Sequence, residues 1–166
     1  MALVLSGDAG ITFPVIAGSA SAVQASSGRV LQVVQFVLAP GSGFSTSSTT
    51  VVDTGLTATI TPSSASNKIL IRVSNAGFFN YSSGGNGVNH NIVRNSTEIV
   101  RTYSQANISG QTYAGNFLEY LDSPATTSAT TYKTQAYVTG SSNTLYLNWY
   151  GTSATTSTIT LMEIAA

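Results

Sequence analysis

The sequence predicts an all-β protein, an antiparallel β-sandwich or jelly roll of about nine or ten short strands behind an irregular N-terminal arm. Three observations predict it. Of 166 residues, 24 are Ser and 23 are Thr, whereas six Lys and Arg and six Asp and Glu carry all the formal charge. Water is therefore met by short or β-branched hydroxyl side chains, which suit a pleated sheet better than a helix. No segment sustains a 3.6-residue hydrophobic period. Finally, strand-length apolar runs recur at a spacing of about 10–15 residues, separated by Gly, Asn, Ser and Pro.

Residues 1–28 form the first unit. They are rich in Ala, Gly and Ser, and Pro14 interrupts any regular element. The isolated apolar residues Leu3, Leu5, Ile11, Phe13, Val15 and Ile16 make the stretch too apolar for a solvated linker. An arm that docks onto another protein surface accounts for both properties, with these six side chains as its contacts; a frayed terminus with one short strand is the alternative.

Residues 29–166 form the second unit, the sandwich. Val30–Leu38 is almost uninterrupted apolar sequence and reads as a central strand buried on both faces. Leu56, Ala58 and Ile60 alternate with threonines in a half-buried strand that Pro62 ends. Ile69, Ile71 and Val73 point inward on the next strand. Ser82–Gly87 is the strongest loop signal in the chain, four of its residues being Gly or Asn. Further strands are expected near 88–94, 97–103, 112–121, 131–138, 143–150 and 157–164, with Leu145, Leu147 and Trp149 on a core face.

Composition bounds function. Basic and acidic residues balance and no basic cluster exists, which argues against nucleic-acid binding through phosphates. A net charge of zero removes one defence against self-association, so part of the surface is expected to be covered by partners. Without Cys there are no disulfides, thiolate metal sites or cysteine nucleophiles. No stretch approaches the roughly 20 apolar residues of a membrane-spanning helix. The N-terminus lacks the basic region of a secretory signal, so synthesis in a cytoplasm is expected.

Catalytic patterns are missing. His90 is the only histidine and no Gly-x-Ser-x-Gly turn accompanies it. It reads as a polar strand or loop residue, or else as a site on the axis of an oligomer. Asp53 and Asp122 read as turn residues whose carboxylates cap local N–H groups. Glu119 and Asp122 form a poor glycosidase pair, because an offset of three places them on opposite faces of a strand. No catalytic residue, metal ligand or cofactor is therefore assigned. Aromatic side chains near Asn could instead grip a host glycan by ring stacking and amide hydrogen bonds. The residues for such a receptor contact are Phe79, Tyr81, Asn86, Asn89 and His90, around the glycine-rich loop. Packing at a core or subunit interface is the competing use of such rings.

Several segments in order resemble a family of tailed-bacteriophage virion proteins of the cyanophage or marine-phage type, tail-fibre-like or capsid-decorating. They are Met1-Ala-Leu-Val-Leu-Ser-Gly-Asp-Ala-Gly10, Gly28-Arg-Val-Leu-Gln-Val-Val34, residues 52–70 (Val-Asp-Thr-Gly-Leu through Asn-Lys-Ile-Leu), Asn91-Ile-Val-Arg-Asn-Ser-Thr-Glu-Ile99, residues 121–132 and Thr158-Ile-Thr-Leu-Met-Glu-Ile164. Residues 77–89 fit that pattern least. The resemblance implies a place on the virion surface, homotrimers, and contact with a major capsid or tail protein. It carries no catalytic residue. Fibres reach outward on coiled-coil or repeat shafts, and neither is seen here. An arm of this length spans at most ~90 Å when extended. That geometry favours a decorating or cementing knob over a tail fibre, with a receptor-binding tail module as the alternative.

Overall fold

The computed structural model describes residues 5–6, 10–11, 28–81, 87–105, 110–113, 115–140, 142–148 and 155–166. Strands β1 (Leu5–Ser6) and β2 (Gly10–Ile11) pair antiparallel, Leu5 opposite Ile11. Leu3, Phe13, Val15 and Ile16 of the expected arm contact lie outside the described residues.

The remaining strands are β3 (Val30–Leu38), β4 (Phe44–Thr46), β5 (Val52–Ile60), β6 (Lys68–Asn75), β7 (Gly77–Tyr81), β8 (Gly87–Arg94), β9 (Thr97–Gln105), β10 (Gly110–Tyr113), β11 (Asn116–Asp122), β12 (Thr130–Val138), β13 (Thr144–Leu147) and β14 (Ser157–Ile164). They form three four-stranded antiparallel sheets, in the orders β11-β6-β14-β3, β10-β7-β13-β4 and β5-β12-β8-β9. The first two are one bent sheet. β6 runs into β7 through Ala76, and the sequence neighbours β3 and β4, β10 and β11, and β13 and β14 keep the same order across both sheets.

Counting each bent pair as one ribbon gives eight ribbons. Their order is 6-3-8-1 in the bent sheet and 2-7-4-5 in the sheet facing it, which is the two-Greek-key arrangement of a jelly roll. The expected fold class is therefore the observed one. The strand count is higher than the pattern suggested because the bend cuts single ribbons in two.

Alternation builds the core. Leu56, Ala58 and Ile60 of β5, Ile69, Ile71 and Val73 of β6, Ile92, Tyr132, Ile159 and Leu161 form one apolar cluster. Val88, Ala136, Val138, Leu145 and Leu147 form a second, beyond the bend. Each large aliphatic side chain so buried stabilises by about 1.5–3 kcal/mol. Trp149, expected beside Leu145 and Leu147, lies outside the described residues.

A polar layer separates the clusters. Its inward-facing members are Thr54, Asn75, His90, Thr134 and Ser157, each at most 4% exposed. The bend explains several of them, since a broken ladder frees backbone groups that must find partners. Ser157 Oγ accepts from the Ala76 N–H at 3.1 Å, and the Asn148 side-chain amide donates to the Ala39 carbonyl at 2.6 Å. Asn148 stands at φ 55° and its own N–H reaches the Ala76 carbonyl. At Gly77, a Cβ would overlap the Tyr146 carbonyl, so only glycine lets the bent ribbons approach. Thr54 and Thr134 join across β5 and β12 by a hydroxyl–hydroxyl bond.

Candidate functional site

β3 overturns one expectation. It is not a central strand buried on both faces but the edge of its sheet, with Val30, Val33 and Val37 between 46% and 56% exposed. Only one side of it meets the core, where Val34 and Leu38 pack. A continuous apolar run cannot distinguish a doubly covered strand from an edge strand whose outer face is bare.

β3 borders one of two chemically unlike outer faces. The outer face of β11-β6-β14-β3 carries Val33, Val37, Leu70, Met162, Phe117 and Leu121, with Phe117 77% exposed. A shallow groove of about 520 Å³ crosses it. The charges lining this groove are Arg72 and Glu119, which pair at 2.8 Å and cancel.

The outer face of β5-β12-β8-β9 is polar. Asp53, Gln135, Asn91 and Arg101 lie in one cross-strand row, and Tyr137, Asn89 and Tyr103 in another. Lys133 and Gln135 both donate to Asp53, holding its carboxyl below the usual carboxylate range. Glu98 accepts from Asn91 and Arg101, which together orient it. Arg101 also stands 5.8 Å from the Tyr137 ring centre. Asp53 is thus a strand residue bracing β12, not the turn cap its sequence neighbours indicated.

The described residues assigned to a receptor contact fall on two strands, β7 and β8, of different sheets. Asn89 and His90 lie in β8, 6% and 4% exposed, rather than on an open loop. His90 faces the interior between Val88 and Ile92, which also removes it from any oligomer axis. Burial holds its pKa down at about 4, so it is neutral at pH 7. Among the described residues its Nδ1 has no hydrogen-bond partner. Phe79 and Tyr81 belong to β7, and Asn86 lies outside the described residues. Gly87, next to that loop, leaves room for the Tyr103 ring to lie against β8.

Two buried carboxylates were not anticipated. Glu163, fully buried on β14, accepts from Gln32, from the Ser63 N–H and hydroxyl, and from Asn67, all at 2.6–2.7 Å. Burial alone would raise its pKa, but these donors prevail and bring it down to about 2. Asp122 accepts two bonds from Arg94 at 2.9 Å and one from the Tyr132 hydroxyl at 2.6 Å. Burial and that carboxylate push the Tyr132 hydroxyl well above its ordinary range. Asp122 thus braces three strands instead of capping a turn. Glu119 stands on the opposite face of β11, as the offset required, so the two form no catalytic pair.

No group of three or more His, Asp and Glu side chains able to hold a metal occurs among the described residues. Nor is any helix there long and apolar enough to cross a membrane.

No protein-family profile and no curated protein sequence matches the chain. Among solved structures it is similar to the infectious bursal disease virus VP2 subviral particle, at 16% identity and a TM-score of 0.42 over 93% of this chain and 42% of that one. It is also similar to the structure of the Gx strain of that virus, at 14% identity and a TM-score of 0.40 over 84% of this chain and 43% of that one. The chain spans less than half the length of these proteins.

Proposed function

We propose that this protein is a non-enzymatic structural component of a tailed-bacteriophage virion surface, homotrimeric and anchored by residues 1–28 to a capsid or tail protein. Capsid decoration is favoured over a tail fibre. The observation that carries this reading is the contrast between the two outer faces of the jelly roll. One is apolar with a self-cancelled ion pair, suited to burial against protein. The other carries exposed charged groups, Asp53, Glu98 and Arg101, on either side of the buried strand β8, and those groups are suited to water. A knob seated on a support needs both, and the resemblance of ordered sequence segments to phage virion proteins supports the same reading. The buried ionisable groups Glu163 and Asp122 are committed to bracing strands, which leaves them no catalytic task.

The arm reading is tested by deleting residues 1–20. The shortened protein is expected to keep the β-sheet circular-dichroism spectrum of the full chain and to lose attachment to particles. Attachment at full-chain levels would refute an anchoring arm. Labelled antibody on intact particles separates shell from tail.

A receptor-binding module for host polysaccharide is the second reading, favoured by the row Tyr137, Asn89, Tyr103, in which Tyr103 is half exposed on the polar face. It predicts glycan binding that weakens in Tyr103→Ala and Tyr81→Ala. Binding indifferent to both substitutions would count against it.

A further inference from the structure

Among the described strands, β3 is a long edge strand without a charged side chain. Of the four long edges in the sandwich, β5 carries Asp53, β9 carries Glu98 and Arg101, and β11 carries Glu119. Charged side chains of this kind discourage unwanted strand pairing. β3 has no charged residue and no proline from Val30 to Leu38, and its register shift lies at the far end, opposite Glu163 and Ile164. No described strand pairs with its outer side. An unpaired row of N–H and C=O groups calls for an extended chain as its occupant.

The sequence of β3 identifies which chain. In an antiparallel pair of identical strands the two-fold axis is normal to the sheet, so outer face meets outer face and facing residues have the same parity. Three central registers are then available. Centring on Val34 sets Val33 against Gln35, and centring on Phe36 sets Gln35 against Val37. Centring on Gln35 sets Val33 against Val37, Gln35 against Gln35, and Val34 against Phe36. Only that register matches apolar with apolar and amide with amide.

We propose that β3 pairs antiparallel with β3 of a second copy of this chain, in the register that places Gln35 opposite Gln35. The bent sheet then continues across two molecules, covering Val33 and Val37. This two-fold contact stands apart from the virion reading and from the three-fold assembly proposed above, since a trimer could use it to join another trimer.

Because the chain has no cysteine, single thiols report the register. Under mild oxidation the full chain carrying Gln35→Cys is expected to form a covalent dimer, as facing Cβ atoms lie within disulfide reach. Val37→Cys alone is expected to stay reduced, because its facing residue is Val33. The double variant Val33→Cys/Val37→Cys is expected to cross-link. Val33→Lys/Val37→Lys, changed only at exposed positions, should fold with an unaltered spectrum and show at most half the wild-type mass by light scattering. Equal masses for wild type and the folded lysine variant would overturn the proposal, as would cross-linking through Val37→Cys without Gln35→Cys. If the lysine variant is trimeric and the wild type hexameric, the contact is confirmed together with the separate three-fold assembly; if a dimeric wild type becomes monomeric, only the two-fold contact stands. A trimeric wild type that becomes monomeric, with no Gln35→Cys cross-link, would overturn the proposal.

Discussion

The Asn67 side-chain amide donates to Oε1 of Glu163 at 2.6 Å, tying together residues 96 positions apart. With Gln32 and Ser63 it completes a set of donors around a buried carboxylate that has no cationic partner among them. The carboxylate therefore holds the start of β3, the β5–β6 turn and the end of β14 in one place. Charge-assisted hydrogen bonds of this kind are the strong ones. Glu163→Gln places an amide N–H among donors and leaves some unpaired. A loss of about 3 kcal/mol is expected, read as a fall in melting temperature of roughly 6–12 °C for a domain of this size. A fall of under a degree would refute the bracing role.

Acid should act in two separate windows. His90 is buried neutral with its pKa lowered to about 4, so the unfolded chain binds its proton first as pH drops below 6.5. Stability is then complete above about pH 6.5 and declines toward pH 4. The decline amounts to about 2–3 kcal/mol between pH 7 and 4.5. Glu163, lowered to about 2, contributes stability above its ordinary 4.5 that fades as pH falls from there to about 2. Denaturant unfolding of wild type and His90→Leu at pH 7, 4.5 and 2.5 separates them. The variant should lose most of the upper-window slope and keep the lower one; an unchanged upper slope would exclude His90 as its source.

The carboxylates of β11 should respond oppositely to substitution. Asp122→Asn puts an amide N–H where one carboxylate oxygen accepted and removes the charge facing Arg94, in a site only 5% exposed, and about 2–4 kcal/mol of stability should go with it. Tyr132→Phe removes one of those bonds and should cost about 1 kcal/mol. Glu119→Gln, three residues away on the exposed face, should leave the melting curve unchanged. Equal effects at 119 and 122 would contradict their placement on opposite faces.

Much of the jelly roll was legible because period-2 alternation survives wherever one face is buried. Leu56-Ala58-Ile60 and Ile69-Ile71-Val73 occupy the core positions their spacing assigned. β3 misled because its run of valines is blind to what covers its outer side. The strand expected near 88–94 is β8, but the glycine run before it points to an open setting for Asn89 and His90, whereas β8 is covered on both faces. Glu163 gave no local signal at all. Its donors come from positions 32, 63 and 67, and only the closure of the first, third and eighth ribbons brings them together.

The bend itself rests on Asn148. Its φ of 55° is in the left-handed region, its side chain holds Ala39 on one neighbouring ribbon, and its N–H holds Ala76 on the other. Two substitutions separate these contributions. Asn148→Gly keeps the backbone conformation at little steric cost and loses only the Ala39 bond, for about 1 kcal/mol. Asn148→Ala loses the same bond and adds a left-handed penalty of about 1–2 kcal/mol. Alanine should therefore be the more destabilising of the two, reversing the order seen in an ordinary strand, where glycine is worse. Chemical denaturation of both variants decides it: if glycine costs more than alanine, the conformation at 148 is not what sustains the bend.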